Sequence, residues 1–327
     1  MTIILKESEI KKCISISSDL ISIIEDAFLS LSKKIAIMPP ILRLDIKEHH
    51  GEVDVKTAYI KGLDSFAIKV SPGFFNNPSI GLPTTSGMMI LLDSKTGILK
   101  SVLLDKGYLT DIRTAIAGAI ASKYLSNEDV SSVGVIGAGM QAKLQLKALL
   151  LVRKPSVAYI WGRNKKKILK FIQENKIDIN IKLKECNDLE EICQKSEIII
   201  TTTPSSEPLI NNEWIKKGTH ITAMGSDAEH KNELDPNIIK NCDLYVADKQ
   251  SQTSILGELH HAVSANLVSS NEKYAELGEI ISKDVPGRKS REDITVCDLT
   301  GTGVQDTAIA RHAFNIAMKK KFGLLLN

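Results

Sequence analysis

Apolar positions recur with a helical period from Ser17 to Lys33, then give way to shorter runs at Asp54 to Tyr59, Ser65 to Ser71 and Met88 to Asp93 that read as strands. Turn chemistry at Asp93-Ser94-Lys95-Thr96-Gly97 and at Ser71-Pro72-Gly73 predicts hairpins or a meander between them. The helical period returns from Leu109 to Leu125, in LTDIRTAIAGAIASKYL, where many small residues predict a central, buried helix that another backbone can approach closely. After Ser126-Asn127-Glu128-Asp129 the texture changes. Strand-like runs at Val133 to Ile136, Ala158 to Trp161, Glu197 to Thr202, His220 to Met224 and Leu244 to Ala247 alternate with helical stretches, which predicts a parallel, doubly wound sheet. A last helix is expected from about Gln305 to Lys321, with an apolar side suited to packing back on the first part of the chain.

Composition narrows the function classes more than the fold. With 327 residues, 43% hydrophobic and 25% charged, the chain is long enough for two ordinary domains. Its formal charge of +3 is spread over interspersed acids and bases, so no nucleic-acid footprint is visible and the ligand is expected to be small. Apolar runs such as Ile198 to Thr203 stop far short of the ~20 residues that cross a bilayer, and the N-terminus lacks a signal pattern. A cytoplasmic protein without a membrane partner is expected. Cys13, Cys186, Cys193, Cys242 and Cys297 are scattered without metal-ligand spacing, and Asp227 with His230 is too sparse for a metal site, so no metal is expected. The run Lys319-Lys320-Lys321 reads as a solvated helix end.

One motif carries chemistry directly. Gly137, Gly139 and Ala142 in VGVIGAGMQA have G-x-G-x-x-A spacing, immediately after a strand and before a helix. Gly137 allows the tight turn, Gly139 lets backbone approach a pyrophosphate, and Ala142 keeps helix and strand close. Met140, Gln141, Thr202, Met224 and Gly225, on this loop and at the ends of later strands, complete the expected dinucleotide site. At the end of the second strand, where an acid would bind the ribose hydroxyls of NAD, the sequence reads Trp161-Gly162-Arg163-Asn164. Arg163 can hold the 2′-phosphate of NADP with Asn164 and Lys165 nearby, or it is a solvated arginine at a helix start. Either NAD(H) or NADP(H) is expected, with NADP favoured.

Several stretches together resemble the ornithine cyclodeaminase and μ-crystallin family. They are Arg43 in PPILRLD, Lys69 in FAIKVSPG, LTDIRTA around Arg113, GAGMQA, AMGSDAEHKNEL with Asp227, and DLTGTGVQDTA. Within the family, GEVDVKTAY, GLDSFAIKVSPGFF, GSDAEHKNEL and GELHHA look most like the cyclodeaminase-like proteins of ectoine-utilisation operons. The resemblance implies an α+β substrate and dimerisation domain formed by both chain ends, 1–126 and 305–327, a Rossmann domain over 127–304, and a homodimer.

The resemblance also places Arg43, Lys69 and Arg113 around the carboxylate of an amino or imino acid, a task to which arginine is suited. The plain alternatives are a surface arginine at 43 and a helix-face ion pair at 113. Lys69 lies in an apolar strand, so it either snorkels outward or faces a polar site where its pKa can fall, and it is taken as a catalytic as well as a substrate-binding residue. Asp227 follows the strand ending at Met224, at the sheet edge where open α/β folds bind ligands, and is taken as proton donor and acceptor. Its alternative is an Asx turn or helix cap. His260 and His261 either polarise substrate or cap a loop, and Thr300 to Gly303 either offers N–H groups to the nicotinamide or merely starts a helix.

Two chemistries suit such a family. In a cyclodeaminase the substrate amine is oxidised, ammonia leaves, the ring closes and the imine is reduced again; in a reductase, hydride and a proton reach a substrate imine. The cyclodeaminases proper usually carry an acid at the second-strand end and a Glu in the early strand, where this chain has Arg163 and Asp54. Lys56, on the same strand face as Asp54, can pair with a second substrate carboxylate or simply be an exposed lysine. The expected activity is reduction of an α-imino acid, with iminosuccinate and ectoine breakdown as one setting. Ornithine cyclodeamination and non-catalytic NADPH binding, as in μ-crystallin, remain alternatives.

Overall fold

The early apolar runs belong to one sheet, longer and more connected than their periodicity suggests. In the computed structural model, which describes residues Thr2 to Leu326, this part contains β1 (Thr2–Lys6), β2 (Ala36–Ile37), β3 (Leu42–Ile46), β4 (Gly51–Ile60), β5 (Ser65–Phe74), β6 (Met88–Asp93) and β7 (Leu99–Leu104). Helices α1 (Glu7–Cys13) and α2 (Ser18–Ser32) precede β2. The expected turn at Asp93 to Gly97 joins β6 to β7, with Asp93 Oδ1 accepting from the Lys95 and Thr96 N–H groups and Gly97 at φ +70°. The turn expected at Ser71-Pro72-Gly73 is not one. β5 runs on through Phe74, pairing Pro72 with Val53 and Gly73 with Glu52. Pairing of β5 with β6 ends at Val70, so the N–H that proline lacks is not needed on that side.

Helix α3 (Tyr108–Leu125) is mostly buried, as its small residues predict. What fills the space beside Gly118, however, is a side chain. A Cβ there would lie 1.9 Å from Gln145 Oε1, and the Gln145 amide donates to the Thr114 carbonyl at 3.0 Å.

The alternating middle of the chain is a parallel sheet. Its strands are β8 (Ser132–Ile136), β9 (Val157–Trp161), β10 (Lys182–Glu185), β11 (Ile198–Thr201), β12 (His220–Ala223), β13 (Leu244–Ala247), β14 (Ala275–Glu276) and β15 (Thr295–Asp298). Their order is β10-β9-β8-β11-β12-β15-β13-β14, all parallel, so the winding reverses between β8 and β11. Helices α4 (Met140–Leu149), α5 (Lys165–Asn175), α6 (Leu189–Lys195), α7 (Pro236–Asn241), α8 (Gln250–Thr253), α9 (Glu258–Ser264) and α10 (Leu277–Ser282) connect them. Both faces of the sheet are covered by apolar clusters, one around Val133, Leu146 and Ile160 and the other around Ile199, Ile221 and Val296. Strands buried on both faces read as continuous Val/Ile runs, which is why this half was legible from its pattern.

The chain then returns through α11 (Gly303–Lys319) and β16 (Leu324–Leu326). The first sheet is therefore ordered β16-β1-β7-β6-β5-β4-β2, with β3 also on β4. Two units result, one comprising the chain up to Arg113 and from Thr302 onward, the other running from Thr114 to Gly301.

Helix α11 lies against β4, β5 and α2. Its start fits closely: a Cβ at Gly303 would sit 2.3 Å from the Thr57 carbonyl oxygen. Four residues later the Thr307 hydroxyl donates to the Ala58 carbonyl at 2.8 Å and accepts from the Ala67 N–H at 3.0 Å. Helix, β4 and β5 are thereby locked in one register, which fixes where Asp306 points. Among the described residues no helix is long and apolar enough to cross a membrane.

Candidate functional site

In the first unit, strand register gathers the basic residues. Lys56 pairs directly across from Lys69, and Asp54 pairs with both Ser71 and Arg43, so Arg43, Asp54, Lys56 and Lys69 share one face. Lys56 and Lys69 are 6% and 2% exposed, and Arg113 from α3 is 4% exposed. Asp306, wholly buried on the first turn of α11, meets them: its Oδ1 accepts from Arg113 Nε at 2.9 Å, and its Oδ2 lies 3.2 Å from Lys69 Nζ. That second contact is an ion pair without hydrogen-bond alignment.

The electrostatics follow from burial. Loss of solvent brings the Lys69 amine down to about 7, with Arg113 and Lys56 adding to the fall and Asp306 opposing it. Burial would raise the Asp306 carboxyl, but the charges of Arg113, Lys69 and Lys56 overcome it and hold the group below its ordinary value. Asp105, which accepts from the Leu109 N–H at the start of α3, is pushed up to about 6 by burial. Lys69 thus faces a polar site rather than snorkelling. Arg113 makes an ion pair with an acid from the far end of the chain. Arg43 takes a different environment, ion-paired with Asp45, Glu52 and Asp54.

In the second unit the glycine loop after β8 is built from backbone. Gly137 has φ +122°, and a Cβ there would lie 2.3 Å from Thr202 Oγ1. The Gly137 N–H donates to the Trp161 carbonyl at 2.8 Å and the Thr202 N–H to Ile136 at 2.9 Å, so the ends of β8, β9 and β11 are tied together at the point where the winding reverses. Gly139, the N-cap of α4, faces open space, where a Cβ would meet nothing within 4 Å. Met140 is exposed, Gln141 half-buried, and Ala142 wholly buried against the sheet. An exposed, side-chain-free helix start at the switch point fits a pyrophosphate. Arg163 is exposed at the end of β9, whereas the Asn164 side chain is engaged as the N-cap of α5, accepting from the Lys167 N–H at 3.1 Å.

After β12, Met224 is buried and Gly225 is hemmed in: a Cβ would lie 2.2 Å from the Thr203 carbonyl oxygen and 2.4 Å from the Glu233 carboxyl. Glu233 itself accepts from the N–H groups of Thr203 and Gly225 at 2.6 and 2.7 Å, clamping the loops after β11 and β12. Burial pushes its carboxyl upward. Asp227 stands on this loop, its side chain 47% exposed and 2.6 Å from Lys231 Nζ. From α9, Glu258 accepts from the Glu233 N–H and His261 Nε2 donates to the Lys231 carbonyl, so His261 caps the loop. Thr302 forms a capping box with Gln305, and the Gly301 N–H is taken by Asp248, so this motif starts a helix.

Sequence reasoning passed over Asp306, Asp105 and Glu233 as site residues. All three are buried acids; Asp105 and Asp306 stand in mainly small or apolar stretches, and that incongruity was the available signal, whereas Glu233 lies in a polar run that gave none.

Comparison with known proteins places these features in a common frame. Solved structures that superpose over nearly the whole chain include a Δ1-pyrroline-2-carboxylate reductase of Thermococcus litoralis in complex with NADH and L-proline (TM-score 0.94, 28% identity, 99% of this chain and 100% of that one). An archaeal alanine dehydrogenase dimer with bound NAD (0.92, 33%, 100% and 99%) also matches. So does an iminosuccinate reductase of Paracoccus denitrificans in complex with NAD+ (0.90, 28%, 100% and 99%). An uncharacterized cyclodeaminase of Sinorhizobium fredii is 51% identical over 98% of both chains. The profile of the Ornithine cyclodeaminase/mu-crystallin family matches residues 1–321, and the chain is an enzyme belonging to that family.

Proposed function

We propose that the chain catalyses the NAD(P)H-dependent reduction of a small α-imino acid to the α-amino acid, and the reverse oxidation. The balanced step is imine plus NAD(P)H plus a proton giving amine plus NAD(P)+. The observation that carries this reading is the convergence of Lys56, Lys69 and Arg113 on one buried face around Asp306. Such a cluster suits a carboxylate ligand, since buried cations gain most from an anion that replaces lost water.

In this reading Arg113 and Lys69 hold the α-carboxylate, and Asp306 keeps both in place. Arg43 can join them only by exchanging one of its three carboxylate partners. Lys56 supports a dicarboxylic imine such as iminosuccinate, with aspartate as product. Asp227, half-exposed at the carboxyl edge of the parallel sheet, supplies the proton to the imine nitrogen. The loop of Gly137, Gly139 and Ala142 holds the pyrophosphate, with Thr202, Met224 and Gly225 alongside. The nicotinamide supplies hydride when bound. Arg163, standing where an acid would favour NAD, supports NADPH, while the related structures hold NAD or NADH.

A homodimer joined through the first sheet is supported by the exposed Leu324, Leu325 and Leu326 on its edge strand and by the exposed Ile37, Leu42 and Leu44.

The test is absorbance at the reduced-nicotinamide band with NADPH or NADH and iminosuccinate made from oxaloacetate and ammonia, beside pyruvate with ammonia and Δ1-pyrroline-2-carboxylate. Oxidation of cofactor with iminosuccinate in preference to the other two supports the reading. Inertness of all three with both cofactors overturns it, and ammonia release from ornithine with catalytic NAD replaces it by cyclodeamination.

A further inference from the structure

Lys231 has no part in the chemistry assigned so far, yet its placement is unusual. Lysines commonly bury the stem and hold the ammonium in water. Here the whole side chain is only 9% exposed, whereas its partner Asp227, 2.6 Å away at Oδ1, is 47% exposed. The cation is withdrawn behind the carboxylate. Withdrawing an ammonium from solvent is costly unless it is paired, so the pair is held by more than chance proximity.

The backbone shows what holds it. The Lys231 carbonyl accepts from Ser226 Oγ at 2.5 Å and from His261 Nε2 at 2.7 Å. Its N–H donates to the Ala228 carbonyl, and the next N–H, of Asn232, donates to Ser205. The loop is thus fastened to α9 at Lys231 itself and to the segment after β11 at the next residue. Glu229 and His230 lie between the two partners in sequence. From α9, His261 meets the loop, and His260 meets the His261 ring edge to face, with ring centroids 5.1 Å apart. Glu233 is occupied by Thr203 and Gly225.

We propose that Lys231 is a positioning residue for proton transfer: its ammonium fixes the Asp227 carboxyl by one oxygen, directs the other, and by its charge governs how readily that carboxyl takes up and releases a proton. The inference rests on Asp227 as the proton donor of the proposed reduction. The proton gained by the imine nitrogen leaves Asp227 as a carboxylate beside Lys231, and solvent restores it.

The experiment uses the full chain with NADH or NADPH and whichever imino acid it reduces, in Lys231→Met, Lys231→Arg and Asp227→Asn variants. Lys231→Met is expected to lower kcat about tenfold, with KM and the cofactor Kd within about twofold of the parent. The alkaline pH at which reduction falls away should move upward, because a carboxyl without its cation holds its proton longer. Lys231→Arg should restore most of kcat. Should the Met variant fail to accumulate, Lys231→Gln removes the charge while keeping a donor. An unchanged kcat in the uncharged variant overturns the proposal, as does a loss with an unmoved pH limb and no rescue by arginine. Full activity in Asp227→Asn overturns the underlying reading instead, so the two failures are distinguishable.

Discussion

The glycine loop of the second unit, proposed to hold the cofactor, and the cation cluster of the first are made from different material. After β8 the recognition surface is backbone: Gly137 at φ +122°, Gly139 without a side chain, and the start of α4. It needs only a few small residues in a row, and no charged side chain has to be buried. Around Asp306 the surface is entirely side chain, drawn from β4, β5, α3 and α11, and every charge in it is nearly or wholly removed from solvent. The first design tolerates changes in its surroundings but not in its glycines. The second depends on counter-charge, so its failures should be electrostatic and dependent on pH.

The comparison breaks most visibly at Asp306. Asp306→Asn leaves Lys69 and Arg113 without the buried carboxylate between them, and stability should fall by about 3 kcal/mol in denaturant unfolding. A variant as stable as the parent would mean that the cluster is not interlocked by charge. Gly137→Ala attacks the other design. Its left-handed backbone and the nearby Thr202 oxygen leave no room for a methyl group, so NADH or NADPH titration should show binding weakened by about tenfold or more. An unaffected Kd would remove the steric account of the loop.

A smaller effect sharpens the substrate reading. Lys56→Met should raise KM for iminosuccinate by about tenfold while leaving a monocarboxylic imine unaffected, since only the former has a second carboxylate to lose. Equal losses for both substrates would assign Lys56 to the α-carboxylate or to structure.

The last effect is one of pH. The folded-state pKa of Lys69, about 7, lies below the ordinary 10.5, so in that interval the unfolded chain binds the proton and the folded chain does not. The cost of burying the ammonium is therefore full below about pH 7 and fades as pH rises towards 10.5. Stability should gain a rising component with pH across this window, and Lys69→Met should remove it. In the same range KM for the substrate should rise as the amine loses its charge, whereas NADH binding, on the proposed backbone contacts of the glycine loop, should stay flat. Parallel pH profiles for the two ligands would end the distinction.

The alternating Val/Ile runs and the spacing of Gly137, Gly139 and Ala142 were sufficient to read a doubly wound sheet and the tight glycine turn from β8 into α4, because parallel-strand burial and helix-start geometry are local consequences of consecutive residues. The tight start of α11 and the partners of the buried charges were not readable in that way. Lys56 and Lys69 face each other only because β4 and β5 pair in one register, and Pro72, which looks like a turn residue, is carried inside a strand by the same pairing. Asp306 reaches Lys69 and Arg113 from more than 190 positions away in the chain, and Glu233 clamps two loops that are separate in sequence. Periodicity states which side of an element is buried. Which charge meets which is settled only when distant elements pack, because a buried ion finds its counter-ion through space.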